Sequence, residues 1–115
     1  MSFSTSFIHA LADLSGVAPG PLRDPALLGG LLIAAAGALG VATVAPPTIR
    51  QQPDDSVSGV LLLDGCHIAL HTVPATGVLM LDVLAPESRD VRRAIDVFSR
   101  RLSPRAIAQE ERARG

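Results

Sequence analysis

The sequence predicts an α+β fold, a two-layer sandwich with two helices packed on one face of an antiparallel sheet. Three observations carry this expectation. Three apolar, β-branched runs (58–63, 67–73 and 78–84) follow one another, separated by Asp64-Gly65 and then by Pro74-Ala75-Thr76-Gly77. Short turns of that chemistry join neighbouring strands into a meander. Two stretches of helical character, 26–39 and 89–102, flank it. The resulting order, β-α-β-β-β-β-α-β, suits a sheet that buries one face under helices.

At 115 residues there is room for one domain, 1–115, and one core. Apolar residues make up 48 % and aromatics 3 %, with no Trp or Tyr, so Leu, Val, Ile and Ala must build the core. The net charge of −1 gives no overall pull toward nucleic acid or membrane. All ten basic residues are Arg, and eight lie between Arg89 and Arg114 among four acids. A solvated helix face accounts for such a run, and a nucleic-acid role ranks last. One cysteine excludes a disulfide framework and a multi-cysteine metal site. The N-terminus lacks a basic segment followed by an apolar one, so a cytoplasmic protein is expected.

The first element, 2–14, carries Phe3, Phe7, Ile8, Leu11 and Leu14 and is compatible with strand or helix; a strand over 7–11 fits it. His9 sits here, and a single histidine in such a setting is ordinarily a packed or exposed side chain. Residues 15–25 read as a Gly- and Pro-rich loop that delivers Asp24-Pro25, an N-cap followed by proline at the first helical position. The helix 26–39 then ends at Gly40. No charge occurs from Pro25 to Ile49, a length that meets a crude membrane-span criterion. The glycines at 29, 30, 37 and 40, and the change to Val41-Ala42-Thr43-Val44 before Pro46-Pro47, instead predict a buried helix followed by a buried strand. Those small residues let the helix lie close to the sheet. Residues 48–55 read as a polar connection into the meander. Beyond it, Ser88 is the expected cap of the helix 89–102, whose apolar face is Val91, Ala94, Ile95, Phe98 and Leu102. A short last strand over 105–109 and a frayed, charged tail complete the chain.

The chemistry centres on Gly65-Cys66-His67, a nucleophile directly after a glycine at the start of a strand. Taken alone, a single cysteine in an apolar strand is a small buried hydrophobe, and His67 with His71 on one strand face is a pair often found in structural roles. The surrounding pattern resembles the short prokaryotic class of pyruvoyl-dependent S-adenosylmethionine decarboxylases. Val57-Ser58-Gly59-Val60 matches the family's opening, and His67, Ile68, His71, Pro74, Gly77, Asp82 and Val83 follow at matching positions without a gap.

The resemblance implies a chain that cuts itself at Gly65–Cys66 and carries a pyruvoyl group derived from Cys66. It implies His71 as the residue that handles protons during the cut and Ser58 as a hydrogen-bonding support. It further implies a homodimer whose sheets meet, with the site near the interface and S-adenosylmethionine as substrate, supplying the aminopropyl donor of spermidine synthesis. Cysteine in place of the family's serine suits the same route, since its thiolate is the better nucleophile and the acyl shift then gives a thioester. A glycine before it lowers the hindrance to attack.

Other positions depart from the family. Gly65 replaces an acid, and Pro86 stands where the family has the cysteine that protonates the product. Ala75 replaces an acid that contacts substrate, and no ring is present near Gln52, where the family has an aromatic that stacks on adenine. A water or His67 must then supply the proton. Two further readings stay open at this point: a pyruvoyl decarboxylase of another amino acid, such as ornithine or arginine, and an uncut, non-catalytic homologue that binds a partner subunit.

Overall fold

The computed structural model describes residues 6–115. Phe3, placed by the sequence at the head of the first element, lies outside them. The chain forms β1 (Phe7–Ser15), α1 (Pro19–Leu22), α2 (Pro25–Leu39), β2 (Thr48–Gln51), β3 (Val57–Leu63) and β4 (Cys66–Val73). A single 3-10 turn (Pro74–Thr76), β5 (Val78–Pro86), α3 (Val91–Leu102) and β6 (Ala106–Arg114) follow. All six strands lie in one antiparallel sheet, in the order β2-β3-β4-β5-β1-β6.

Period-two alternation decides which face is buried. In β4, Cys66, Ile68, Leu70 and Thr72 are buried, while His67, Ala69, His71 and Val73 are only partly covered. β1, β3 and β5 alternate in the same way. The buried face packs against α2 and α3 around Phe98, Leu14, Leu28, Leu32, Leu61, Ile68, Leu79 and Ile95, all under 2 % exposed except Ile95 at 2 %. Thr72, a fully buried hydroxyl, donates to Leu22 O (2.8 Å) and accepts from Val57 N (2.9 Å), tying α1 to the sheet. Among the described residues the opposite face carries no helix, and Leu11, Leu62 and Met80 stand 44 %, 54 % and 40 % exposed on it.

Helix α2 begins and ends as expected, with Asp24 Oδ1 accepting from Leu27 N and Gly40 at φ 78°. Its close approach to the sheet is made by the strand rather than by the helix glycines. A Cβ at Gly59 in β3 would lie 2.6 Å from Ile49 Cδ1 and 3.2 Å from Leu32 Cδ1, whereas Gly30 and Gly37 face open space. The helix stops at Leu39, and among the described residues no helix is long and apolar enough to cross a membrane.

Four boundaries differ from the sequence expectation, each for a physical reason. The stretch 41–44 is not a buried strand. Val44 is 61 % exposed, and the pairing is a single bridge, Thr43 to Leu63. Pro46 and Pro47 have no N–H with which to continue the ladder, and the strand forms after them as β2, where a polar connection is expected. Within the expected loop, Pro19–Leu22 makes a helical turn that buries Leu22. The cap of α3 is Asp90, not Ser88: its carboxylate accepts from Arg92 N at 3.1 Å and the helix starts at Val91. The last strand runs the whole length of β1, from Ala106 opposite Ser15 to Arg114 opposite Phe7. All nine of its residues are exposed, so backbone pairing with β1 and not burial makes it a strand. Its charges protect an open sheet edge.

Candidate active site

Cys66 follows a two-residue turn, Asp64-Gly65, in which Gly65 takes φ 75°. Only glycine adopts that conformation without cost, and a Cβ there would meet nothing within 4 Å, so the Gly65–Cys66 bond sits on an open turn. The thiol itself points to the helix side, is 7 % exposed, and has Asp64 O 3.8 Å away as its nearest acceptor. Burial pushes the Cys66 pKa up, and the Asp64 carboxylate adds to the effect. The resting side chain is therefore a thiol, not a thiolate, and its attack on Gly65 needs a base.

Ser58 and His71 face each other across β3 and β4, with Ser58 Oγ 2.6 Å from His71 Nδ1. That pair is as the sequence expects. His71 and Cys66 are not together: five residues separate them on one strand, on opposite faces. At a rise of about 3.3 Å per residue that is roughly 17 Å. The sheet thus has two ends. Ser58 and His71 stand at one end, near Gln52 and Ala75. Cys66, His67 and Pro86 stand at the other, where His67 pairs with Leu84 and β5 ends at Pro86.

Between the two ends lies an open groove of about 590 Å³ on the helix-free face. Leu11, Asp13, Ala69, His71, Met80, Asp82 and Glu110 line it. Three carboxylates in one groove favour a cationic ligand. Asp13 and Glu110 were not singled out in the sequence, because they come from β1 and β6 and share a groove only through the sheet register. His9, read from the sequence as an ordinary packed or exposed side chain, also belongs to this face. Far from isolated, it places Nε2 2.6 Å from Asp82 Oδ1, and His67 Nε2 lies 3.7 Å from the same oxygen. The signal available in the sequence was parity alone, and only the pairing of β1 with β5 brings His9 beside Asp82. Among the described residues no cluster of three or more His, Cys, Asp or Glu is arranged to hold a metal ion.

This architecture, one helix-covered antiparallel sheet, is that of a known class of small carboxy-lyases. The crystal structure of the adenosylmethionine decarboxylase from Aquifex aeolicus superposes with a TM-score of 0.86 at 28 % identity, covering 98 % of this chain and 93 % of that one. The S-adenosylmethionine decarboxylase family profile matches residues 8–115. The S-adenosylmethionine decarboxylase proenzyme of Brevibacillus brevis is 32 % identical over all of this chain and 86 % of its own length. That of Symbiobacterium thermophilum is 33 % identical over 71 % of this chain, spanning 61 % of its own length. The chain belongs to the S-adenosylmethionine decarboxylase family. Of the readings open in the sequence, the S-adenosylmethionine decarboxylase proenzyme, an enzyme precursor of carboxy-lyase type, is the one favoured.

Proposed function

We propose that this chain cuts itself between Gly65 and Cys66 and, as a homodimer, decarboxylates S-adenosylmethionine with a pyruvoyl group made from Cys66. The observation that carries the reading is the placement of that bond. It lies on an open turn between two strands that each keep a second neighbour, β3 with β2 and β4 with β5. A cut there leaves every other strand pair intact, so the residues present fit a group formed at this point.

In the cut, Cys66 Sγ attacks the Gly65 carbonyl carbon, the amide C–N bond breaks, the acyl group passes to sulfur, and the thiol proton ends on the freed nitrogen. Loss of the Cα proton of residue 66 then expels sulfur together with Gly65, and water replaces the residual nitrogen as ammonia. The ketone so formed supplies the electron sink that pyridoxal supplies in other decarboxylases.

Within one chain His71 is too far from Cys66 to take the Cα proton. Stacking two open faces about a two-fold axis buries Leu11, Leu62 and Met80, and brings one end of each sheet over the opposite end of the other. The Ser58–His71 pair of the second copy then serves the cut. His71, hydrogen-bonded to Ser58, removes the Cα proton, and Ser58 holds its imidazole in place. Asp13, Asp82 and Glu110 hold the sulfonium and amine charges of the substrate in the groove.

Two measurements test this. The intact mass of the purified protein should show two fragments divided at Gly65–Cys66. Release of labelled carbon dioxide should be faster from S-adenosylmethionine than from ornithine, arginine or lysine under the same conditions. A single uncut chain after long incubation, with Cys66 titrating as a free thiol, defeats the proposal.

A further inference from the structure

Three titratable side chains meet on the open face at the Cys66 end of the sheet. Asp82 Oδ1 receives His9 Nε2 at 2.6 Å and has His67 Nε2 at 3.7 Å. On the far side of His9, Arg114 Nη1 comes within 3.3 Å of Nδ1. A guanidinium only donates, so Nδ1 of His9 is the acceptor and its proton sits on Nε2, donated to Asp82. These two contacts together select the His9 tautomer with its proton on Nε2. Protonating Nδ1 would set a second N–H against the guanidinium and break the contact.

The chain of contacts runs from Arg114 through His9 and Asp82 to His67, and His67 is the member next to the reacting centre. After a cut at Gly65–Cys66 the ketone carbon is the Cα of residue 66. It belongs to the backbone and can be approached from either face of the sheet, whatever the direction of the former thiol. The Cα of His67 is one step away, about 3.8 Å. Asp82 also lines the groove, so the same carboxylate joins His67 to the space proposed for substrate. Of the other candidates, proline at 86 has no proton to give, and His71 is engaged with Ser58 at the opposite end of the sheet.

We propose that His67 is the acid that protonates the product, that Asp82 positions it, and that His9, pinned by Arg114, positions Asp82. This rests on the decarboxylase reading above. The substrate carboxylate leaves as carbon dioxide, and its bonding electron pair stays on the α-carbon. The Nδ1–H bond of the His67 imidazolium breaks, its proton forms the new C–H bond, and Nε2 keeps its proton, facing Asp82 Oδ1 at 3.7 Å. The neutral imidazole then regains a proton from water. Asp82 and His9 finish in the state in which they began.

The first test does not depend on activity. Nitrogen-15 NMR of the histidines, with His9 assigned by its loss in His9→Gln, should find His9 as the Nε2–H tautomer at neutral pH, and Arg114→Gln should release it. An Nδ1–H tautomer or an imidazolium overturns the relay. The second test uses variants shown by mass to be cut like the wild type. His67→Asn should lower kcat by about 10²-fold with KM unchanged, the scale of one general acid. The misplaced proton should then reach the former ketone carbon instead, where the substrate's amine nitrogen stays while water releases the rest of the substrate as an aldehyde, leaving an alanine at the new N-terminus that sequencing reads. Asp82→Asn and His9→Gln should give the same alanine with smaller losses of kcat. They carry the test alone if His67→Asn is not cut. Wild-type kcat and no alanine in these variants overturns the proposal while a cut, active wild type leaves the decarboxylase reading standing. A wild type that is never cut removes both.

Discussion

Cys66 and His71 stand on the same strand but on opposite faces of the sheet, with His71 bonded to Ser58 at 2.6 Å and Cys66 turned toward the helices. In the cut proposed above, two groups so placed cannot meet within one chain. The arrangement leads to four predictions.

The first concerns assembly. Cys66→Ala lacks the nucleophile, and His71→Ala lacks the base, so neither should be cut alone. Mixed after unfolding and refolded together, they should form heterodimers in which, on the arrangement proposed above, an intact Cys66 faces an intact His71 of the other chain. Cleavage should appear in the mixture, confined to the His71→Ala chain and reaching at most the fraction of heterodimers. Cleavage of His71→Ala by itself would show that the base acts within one chain or is another group.

The second concerns the uncut thiol. Burial holds the Cys66 proton to higher pH than in the unfolded chain. Between the two pKa values the folded state binds more protons, so stability falls as pH rises through the ordinary thiol range, and below that range the effect vanishes. In His71→Ala protein that hydroxylamine leaves whole, so that Cys66 is still a thiol and not a thioester, urea midpoints should therefore decline relative to the His71→Ala, Cys66→Ala double variant as pH is raised into the alkaline range. Alkylation by iodoacetamide should be slow at neutral pH and quicken only with that rise.

The third follows from the atom leaving with Gly65. With cysteine as nucleophile, the amino-terminal fragment departs as a thiocarboxylate. Cys66→Ser should give the same cut with an ordinary carboxylate. Mass spectrometry soon after cleavage should find the wild-type fragment heavier by the difference between sulfur and oxygen, converging on the serine variant as it hydrolyses. An identical carboxylate from both at the earliest times would point to direct hydrolysis.

The fourth concerns the core. Phe98 is fully buried between α3 and the sheet, in a core with no Trp or Tyr to compensate. Phe98→Ala should cost about 3–5 kcal/mol. In a chain of this size that is a large fraction of the total stability. Thermal unfolding by circular dichroism measures it, and a shift of only a degree or two would mean that the helix layer carries little of the stability.

Much of this molecule is legible in its residues. Alternation along 58–84, with Asp64-Gly65 and Pro74–Gly77 between the runs, determines three strands and their turns, because period two and turn chemistry act locally. Asp24-Pro25 and Gly40 determine α2 in the same way, and the spacing of Ser58, Cys66, His67 and His71 carries the family resemblance. The tertiary structure decides what depends on partners distant in the chain. β6 is a strand because β1 offers it a ladder, although its own side chains bury nothing. The 41–44 segment is not one, because two prolines withhold the donors that a ladder needs. The register between β1 and β5 turns His9 from a solitary histidine into a partner of Asp82. Spacing placed Cys66 and His71 in one pattern, but the pleat that sends odd and even positions to opposite faces keeps them apart. A one-dimensional pattern gives order along the chain, and only the folded sheet assigns each side chain a face and a neighbour.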